Sequence, residues 1–191
     1  AIREVDKFLK RQTYRTYHPQ EGAEAVRYLN RKTPFYNIAT GIYAYNILMQ
    51  VSEGHLYDFV FFDRCLFDAY TWMHYWHKKG KLEEPTMRQL QEFFLYSAPR
   101  IDIALVMTCD PAVAISRETK NELSQQLGDT TNPETLHMLT QCNMETYNEL
   151  SGRFGQLVHV DTTNMTERAM VQHITGLILA KLEQKILSEK R

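Results

Sequence analysis

Two rhythms of apolar residues alternate along the chain. Four short runs are rich in β-branched and aromatic residues: TYRTY at 13–17, YDFVFF at 57–62, IDIALVMTC at 101–109 and LVHVD at 157–161. Each stops abruptly on polar residues, namely His18-Pro19, Asp63-Arg64, Asp110-Pro111 and Asp161-Thr162-Thr163. Nearly continuous runs of this kind are what strands covered on both faces look like. Between them the apolar positions recur at helical spacing, as with Ile2, Val5, Phe8 and Leu9, or Ile38, Ile42, Tyr45, Leu48 and Val51 up to the stop at Gly54. The pattern predicts helices at 1–11, 22–30, 35–52, 66–78, 86–97, 111–124, 133–152 and 166–189.

Strands separated by helices, never by hairpin distances, predict an α/β fold with an open, mainly parallel sheet and helices on both faces. All four strands are expected in that one sheet, each crossover being right-handed as in about 98% of such connections. Gly152-Arg153-Phe154-Gly155 marks the turn before the last strand. No repeat or low-complexity tract interrupts the alternation. The polar stretch LGDTTNP at 127–133 stands out, and 118–133 is the candidate lid loop.

The 191 residues suit one domain, spanning 1–191. A net charge of -1 argues against nucleic acid as the main partner, because phosphate backbones call for a surplus of Lys and Arg. No stretch approaches the ~18–20 uninterrupted apolar residues of a membrane span, and no basic-then-apolar leader opens the chain, so a cytoplasmic protein is expected. Cys65, Cys109 and Cys142 are odd in number and widely spaced, which predicts reduced, mostly buried thiols. His74 and His77 lack a third ligand nearby and predict packing or surface roles, with no zinc.

In open parallel sheets ligands bind at the carboxyl ends of the strands. That directs attention to His18, Asp63, Arg64, Asp110, Asp161, Thr162 and Thr163. At such a place an Asp holds a magnesium ion or its waters, and an Arg neutralises phosphate oxygens; alternatively Asp63 caps the following helix. Asp110-Pro111 fits an ordinary helix start, with Asp as N-cap and Pro in the first turn. Arg117 and Lys120, three apart beside the candidate lid, form either a phosphate clamp or a solvated face. Tyr43, Tyr45 and Asn46 offer stacking and hydrogen bonding to a base, or belong to the core. WMHYWHKKGK at 72–81 reads better as a core edge with Lys stems laid over it than as a nucleic-acid contact.

The order of these elements resembles the thymidylate-kinase and deoxynucleoside-kinase group of P-loop phosphotransferases over nearly the whole chain. VFFDRCLFDAY resembles that group's Asp-Arg segment, IDIALVMTCDPAVAISRE the next strand and lid-bearing helix, and LVHVDTTNMTE the last strand and the loop bordering adenine. The resemblance implies a three-layer P-loop NTPase-like sandwich, ATP and Mg²⁺ as cofactors, and a small nucleoside or nucleotide as acceptor. It assigns Asp63, Arg64 and Arg117 to catalysis, with Asp63 also the metal ligand. His18, Tyr43, Tyr45, Asn46 and Asp68 fall on the substrate side, and Lys120, Thr162, Thr163 and Asn164 on the ATP side. His18 stands where the group often has an acidic residue before Pro.

The signature GxxxxGK[ST] does not occur; HKKGKLEE at 77–84 has the Gly-Lys pair alone. Because the first predicted helix has no capping residue ahead of it, the first strand and phosphate loop of such a domain are expected upstream of Ala1. Two functions stay open: a phosphotransferase, or an inactive relative serving as a binding or interaction module. A homodimer is open too, through the aromatic helix at 66–78.

Overall fold

The computed structural model describes residues 1–54, 56–121 and 132–189, with the side chains of 118–121 and 189 left out. Lys120 and all but the last two residues of the candidate lid at 118–133 therefore lie outside the described side chains. In chain order the elements are α1 (Ile2–Arg11), β1 (Thr16–Tyr17), α2 (Gly22–Ala25), α3 (Pro34–Ser52), β2 (Phe59–Val60), α4 (Leu66–Lys78) and α5 (Glu84–Leu95). A 3-10 turn at Ala98–Arg100 leads to β3 (Ala104–Thr108), α6 (Pro111–Asn121), α7 (Pro133–Leu150), β4 (Leu157–Asp161) and α8 (Glu167–Glu189).

Local chemistry sets several of these boundaries. Asp110 Oδ1 accepts from the main-chain N–H groups of Ala112 and Val113 at 2.9 and 3.3 Å, which caps α6 and explains Pro at its first position. Asn132 caps α7 in the same way, accepting from Thr135 N at 2.9 Å ahead of Pro133. β1 halts at His18-Pro19, since proline has no N–H to continue the ladder.

Both strand pairs are parallel. β1 pairs with β2, Thr16 opposite Phe59, and β3 pairs with β4 from Ala104 opposite Leu157 to Thr108 opposite Asp161. They do not form the single sheet expected: among the described residues there are two two-stranded sheets, and β2 is not hydrogen-bonded to β3. An apolar run reports that a strand's faces are covered and is silent about its edges, so periodicity could not decide which edges meet. Side chains join the two pairs instead. Phe59 and Phe61 near β2 and Leu105 of β3 share one apolar cluster with Val5 and Leu9 of α1 and Ile174 of α8. Alternate residues turn the other way: Val106 and Leu157 pack with Phe67 and Tyr70 of α4 and Leu150 of α7.

The densest core surrounds α4. Leu66, Trp72, Met73, Tyr75 and Trp76 pack there with Leu48 of α3, Phe94 of α5 and Cys142 of α7. Two of its polar pairs are matched, the Trp76 indole donating to Asn37 Oδ1 at 2.8 Å and the Thr71 and Thr146 hydroxyls meeting at 3.0 Å, whereas buried Gln91 Oε1 has no hydrogen-bond partner among the described residues. Gly41 permits the closest approach, because a Cβ there would stand 2.7 Å from the Phe94 ring and 2.8 Å from Ala69 Cβ.

One expectation changes at α4. Leu66, Phe67, Ala69, Tyr70, Thr71, Trp72, Met73, Tyr75 and Trp76 are buried by the chain itself, so this helix has no aromatic face to offer a second copy. The 72–81 segment closes the core: Lys78 pairs with Glu145, Lys79 with Glu134, and Lys81 lies 5.3 Å over the Trp76 ring. The three cysteines are free thiols, Cys142 buried and the others half-buried. Among the described residues no helix is long and apolar enough to cross a membrane.

Candidate functional site

The carboxyl end of β2 runs through Phe61 and Phe62 into Asp63-Arg64-Cys65, the corner that starts α4. Arg64 occupies the left-handed region, φ 66°, which non-glycine residues enter at a cost and mainly where the surroundings over-determine it. Three carboxylates act on its guanidinium. Asp68, in the first turn of α4, raises its pKa most, followed by Glu21 and Asp63, with burial opposing. Glu21 Oε1 lies 3.5 Å from Arg64 Nε. The Arg64 side chain is still 53% exposed, so it is oriented without being sealed off.

Asp68 is the most perturbed acid of the corner. Burial pushes its carboxyl up to about 6, against the opposing pull of Arg64, while Asp63 and Glu21 push in the same direction as burial. With an ordinary value near 3.8, folded Asp68 keeps its proton between about pH 4 and pH 6, where the unfolded chain has lost it. The folded state then binds more protons, and stability from this group falls as pH rises through that window. Asp68→Asn should lack this fall, and a shift of about two units sets a ceiling of about 3 kcal/mol on the difference. Denaturant unfolding of both proteins at pH 4.5 and pH 7.5 measures it; parallel pH profiles would remove Asp68 as the source.

A small notch of about 10 Å³, room for about one water, opens between Pro19, Gln20, Gly22, Tyr43, Ala44, Phe62, Asp63 and Arg64. The fold thus brings Tyr43 to Asp63 and Arg64, with Asn46 exposed one turn further along α3. Tyr45 points elsewhere, its ring stacked on Phe93 at 4.9 Å. His18 is exposed at the end of β1, where it faces Asp6. Glu21 is the residue that sequence reasoning missed. Its signal is an acid in the PQEG turn just past a strand end, three residues beyond His18.

The carboxyl ends of β3 and β4 carry a second cluster. Arg117 of α6 donates to the main-chain oxygens of Thr162 at 2.8 Å, Thr163 at 3.3 Å and Met165 at 2.8 Å, and to Thr162 Oγ1 at 3.3 Å. Its guanidinium therefore binds the 162–165 loop to α6. Thr163 is tied down as well: its N–H and hydroxyl donate to Asp161 Oδ1 at 2.9 and 2.6 Å, holding that carboxyl below its ordinary range, and its Oγ1 accepts from Asp110 N. Thr162 is buried, and Asn164 is exposed at the loop's tip.

A solved structure described as deoxyadenosine kinase from M. mycoides, with the products dCMP and a flexible dCDP bound, matches this chain with a TM-score of 0.57. Identity is 16%, over 95% of this chain and 92% of that one. The fold is nucleoside-kinase-like. No protein-family model and no curated protein matches the sequence. In a fold of this kind the strand carboxyl ends are where ligands bind, and both clusters lie there. A larger cavity, about 570 Å³, lies at the opposite ends of β3 and β4, beside Asp102 and Gln156. Two of its charged residues are paired, Asp102 with Lys185 and Arg153 with Glu92. It is an open surface recess.

Proposed function

We propose that the protein is an ATP-dependent phosphotransferase of the nucleoside and nucleotide kinase kind, with a nucleoside, a thymidylate-like nucleotide or a related small hydroxyl compound as acceptor. The observation that carries this reading is the Asp63-Arg64 corner, where a half-exposed guanidinium on a left-handed backbone position is oriented by carboxylates at a strand's carboxyl end. In this reading Arg64 neutralises phosphoryl oxygens as charge develops on them. Asp63 receives the acceptor's hydroxyl proton or ligates the metal. Tyr43, Asn46, His18 and Asp68 form the acceptor side, while Asn164 and the loop held by Arg117 border the adenine, with Lys120 towards the phosphates.

The donor set suits a magnesium ion held mainly by phosphate and water. Asp63 contributes a hard carboxylate oxygen, and among the described residues no group of three or more potential ligands forms a cage. Bound Mg²⁺-ATP would supply the transferred phosphoryl group, with the ion offsetting negative charge on its phosphate oxygens. The full three-layer sandwich belongs to the same proposal.

The second reading, an inactive relative acting as a binding or interaction module, is favoured by the absence of GxxxxGK[ST] from these 191 residues. Without that loop the triphosphate lacks its main-chain N–H cradle and its Lys. The test is ADP release by the product of the full reading frame, with Mg²⁺-ATP and a panel of nucleosides and nucleoside monophosphates. Acceptor-dependent turnover is expected. Acceptor binding by calorimetry with no turnover across the panel would favour the second reading.

A further inference from the structure

We propose that the recess at the amino ends of β3 and β4 is a second binding site, whose ligand is a nucleotide: a flat heterocycle carrying phosphate groups. The inference does not depend on the phosphotransferase reading. At about 570 Å³ the recess falls within the ~300–1,000 Å³ of small-molecule sites. Its floor is apolar, with Leu95 and Phe154 buried and Ile101 packed against them. Tyr96 forms a wall and is 77% exposed. Phe93, three residues earlier, stacks on Tyr45, whereas among the described residues no ring meets Tyr96. An uncovered ring beside an apolar floor is a platform for a base, since every base has a face to stack.

Two cations stand at the same recess. The Arg153 guanidinium lies 5.0 Å over the Phe154 ring, which holds it there. Its contact with Glu92 is 3.8 Å long and both side chains are more than half exposed, so the guanidinium donors stay free for an anion. Lys181 of α8 is half-buried, and no described carboxylate pairs with it. Asp102, the acid in the lining, is neutralised by Lys185 at 2.9 and 3.2 Å. Gln156 adds a fixed amide: its Nε2 donates to Ala98 O at 3.2 Å, leaving its carbonyl oxygen and second N–H for the edge of a base.

These parts together select the class of ligand. Inorganic phosphate would use the cations and leave the Tyr96 ring and the apolar floor in water. A neutral aromatic compound would do the reverse. A nucleotide engages both halves, and the recess lies at the far ends of the strands from the Asp63-Arg64 corner, so the two sites are separate.

Tyr96→Trp makes the wall a reporter, because Trp72 and Trp76 are 8% and 5% exposed and a stacking base quenches only position 96. The full chain with this substitution is titrated, in EDTA, with ATP, adenosine and inorganic triphosphate to about 5 mM, the range of a weak site. Saturable quenching by ATP is expected, with adenosine weaker by about tenfold or more and triphosphate competing without quenching. Adding Arg153→Gln or Lys181→Gln should weaken ATP by about tenfold, the effect of one charge-assisted contact. Glu92→Gln should tighten it by removing the carboxylate that competes for Arg153, a gain that damage to the fold cannot imitate. Arg64→Ala should leave the quenching unchanged, which keeps this test apart from that of the corner. No saturable quenching, adenosine as tight as ATP, indifference to both cation substitutions, or loss of quenching in Arg64→Ala would each overturn the proposal.

Discussion

Under the proposed function, Arg64→Ala is expected to lower phosphoryl transfer by about a hundredfold or more, with little change in thermal stability. The proposed role aims this positive charge at oxygens that gain charge in the transition state, where such groups contribute about two to three powers of ten. Stability is spared because alanine bears the same left-handed backbone cost as arginine and because the lost ion pairs are half-exposed. Arg64→Gly separates the two effects. It should be equally inactive yet more stable than the alanine variant by about 0.5–1 kcal/mol, since glycine enters φ 66° freely. Steady-state ADP release and denaturant midpoints measure both. Undiminished turnover in Arg64→Ala would return the residue to a role in starting α4.

Gly41→Val should cost at least about 3 kcal/mol and leave the protein largely unfolded near body temperature. Helix propensity by itself predicts the opposite sign for the milder Gly41→Ala, a gain of about 1 kcal/mol. Contact decides otherwise, because any Cβ at 41 would lie 2.7 Å from Phe94 and 2.8 Å from Ala69, and all three positions are buried in helices. Phe94→Leu in the Gly41→Ala background should restore part of the loss by clearing the ring from that space. Urea midpoints of the four proteins provide the check. A Gly41→Ala protein more stable than the parent would mean that α3 shifts freely against α4 and α5.

Asp68 and Arg64 sit four residues apart in one segment, so their meeting at the entry to α4 could be anticipated from the chain alone. The helix they start was equally legible, and its observed span, Leu66–Lys78, coincides with the expected one. Apolar spacing and the residues that break it are local signals, which is why most helices held with ends such as Leu95 and Leu150 shifted by about two residues, whereas the helix expected at 22–30 is only the single turn Gly22–Ala25. Strand order and parallel pairing were half legible. The pairs β1 with β2 and β3 with β4 are parallel as the long crossovers required, but no local signal told that they form two sheets.

The sequence by itself determined an alternating α/β chain, the polar residues that end each strand, the capping of α6 by Asp110, and the place of Asp63-Arg64 at a strand's end. Only the tertiary structure decided that Glu21 meets Arg64 across 43 positions, that Arg117 spends its guanidinium on the 162–165 carbonyls, and that Tyr43 joins the corner while Tyr45 stacks on Phe93. It also turned the aromatic face of α4 inward and left the uncharged side of α3 exposed. The division has a physical cause: periodicity is set by each segment's own backbone geometry, whereas the partner of a side chain depends on how distant segments pack, and that is a property of the whole chain.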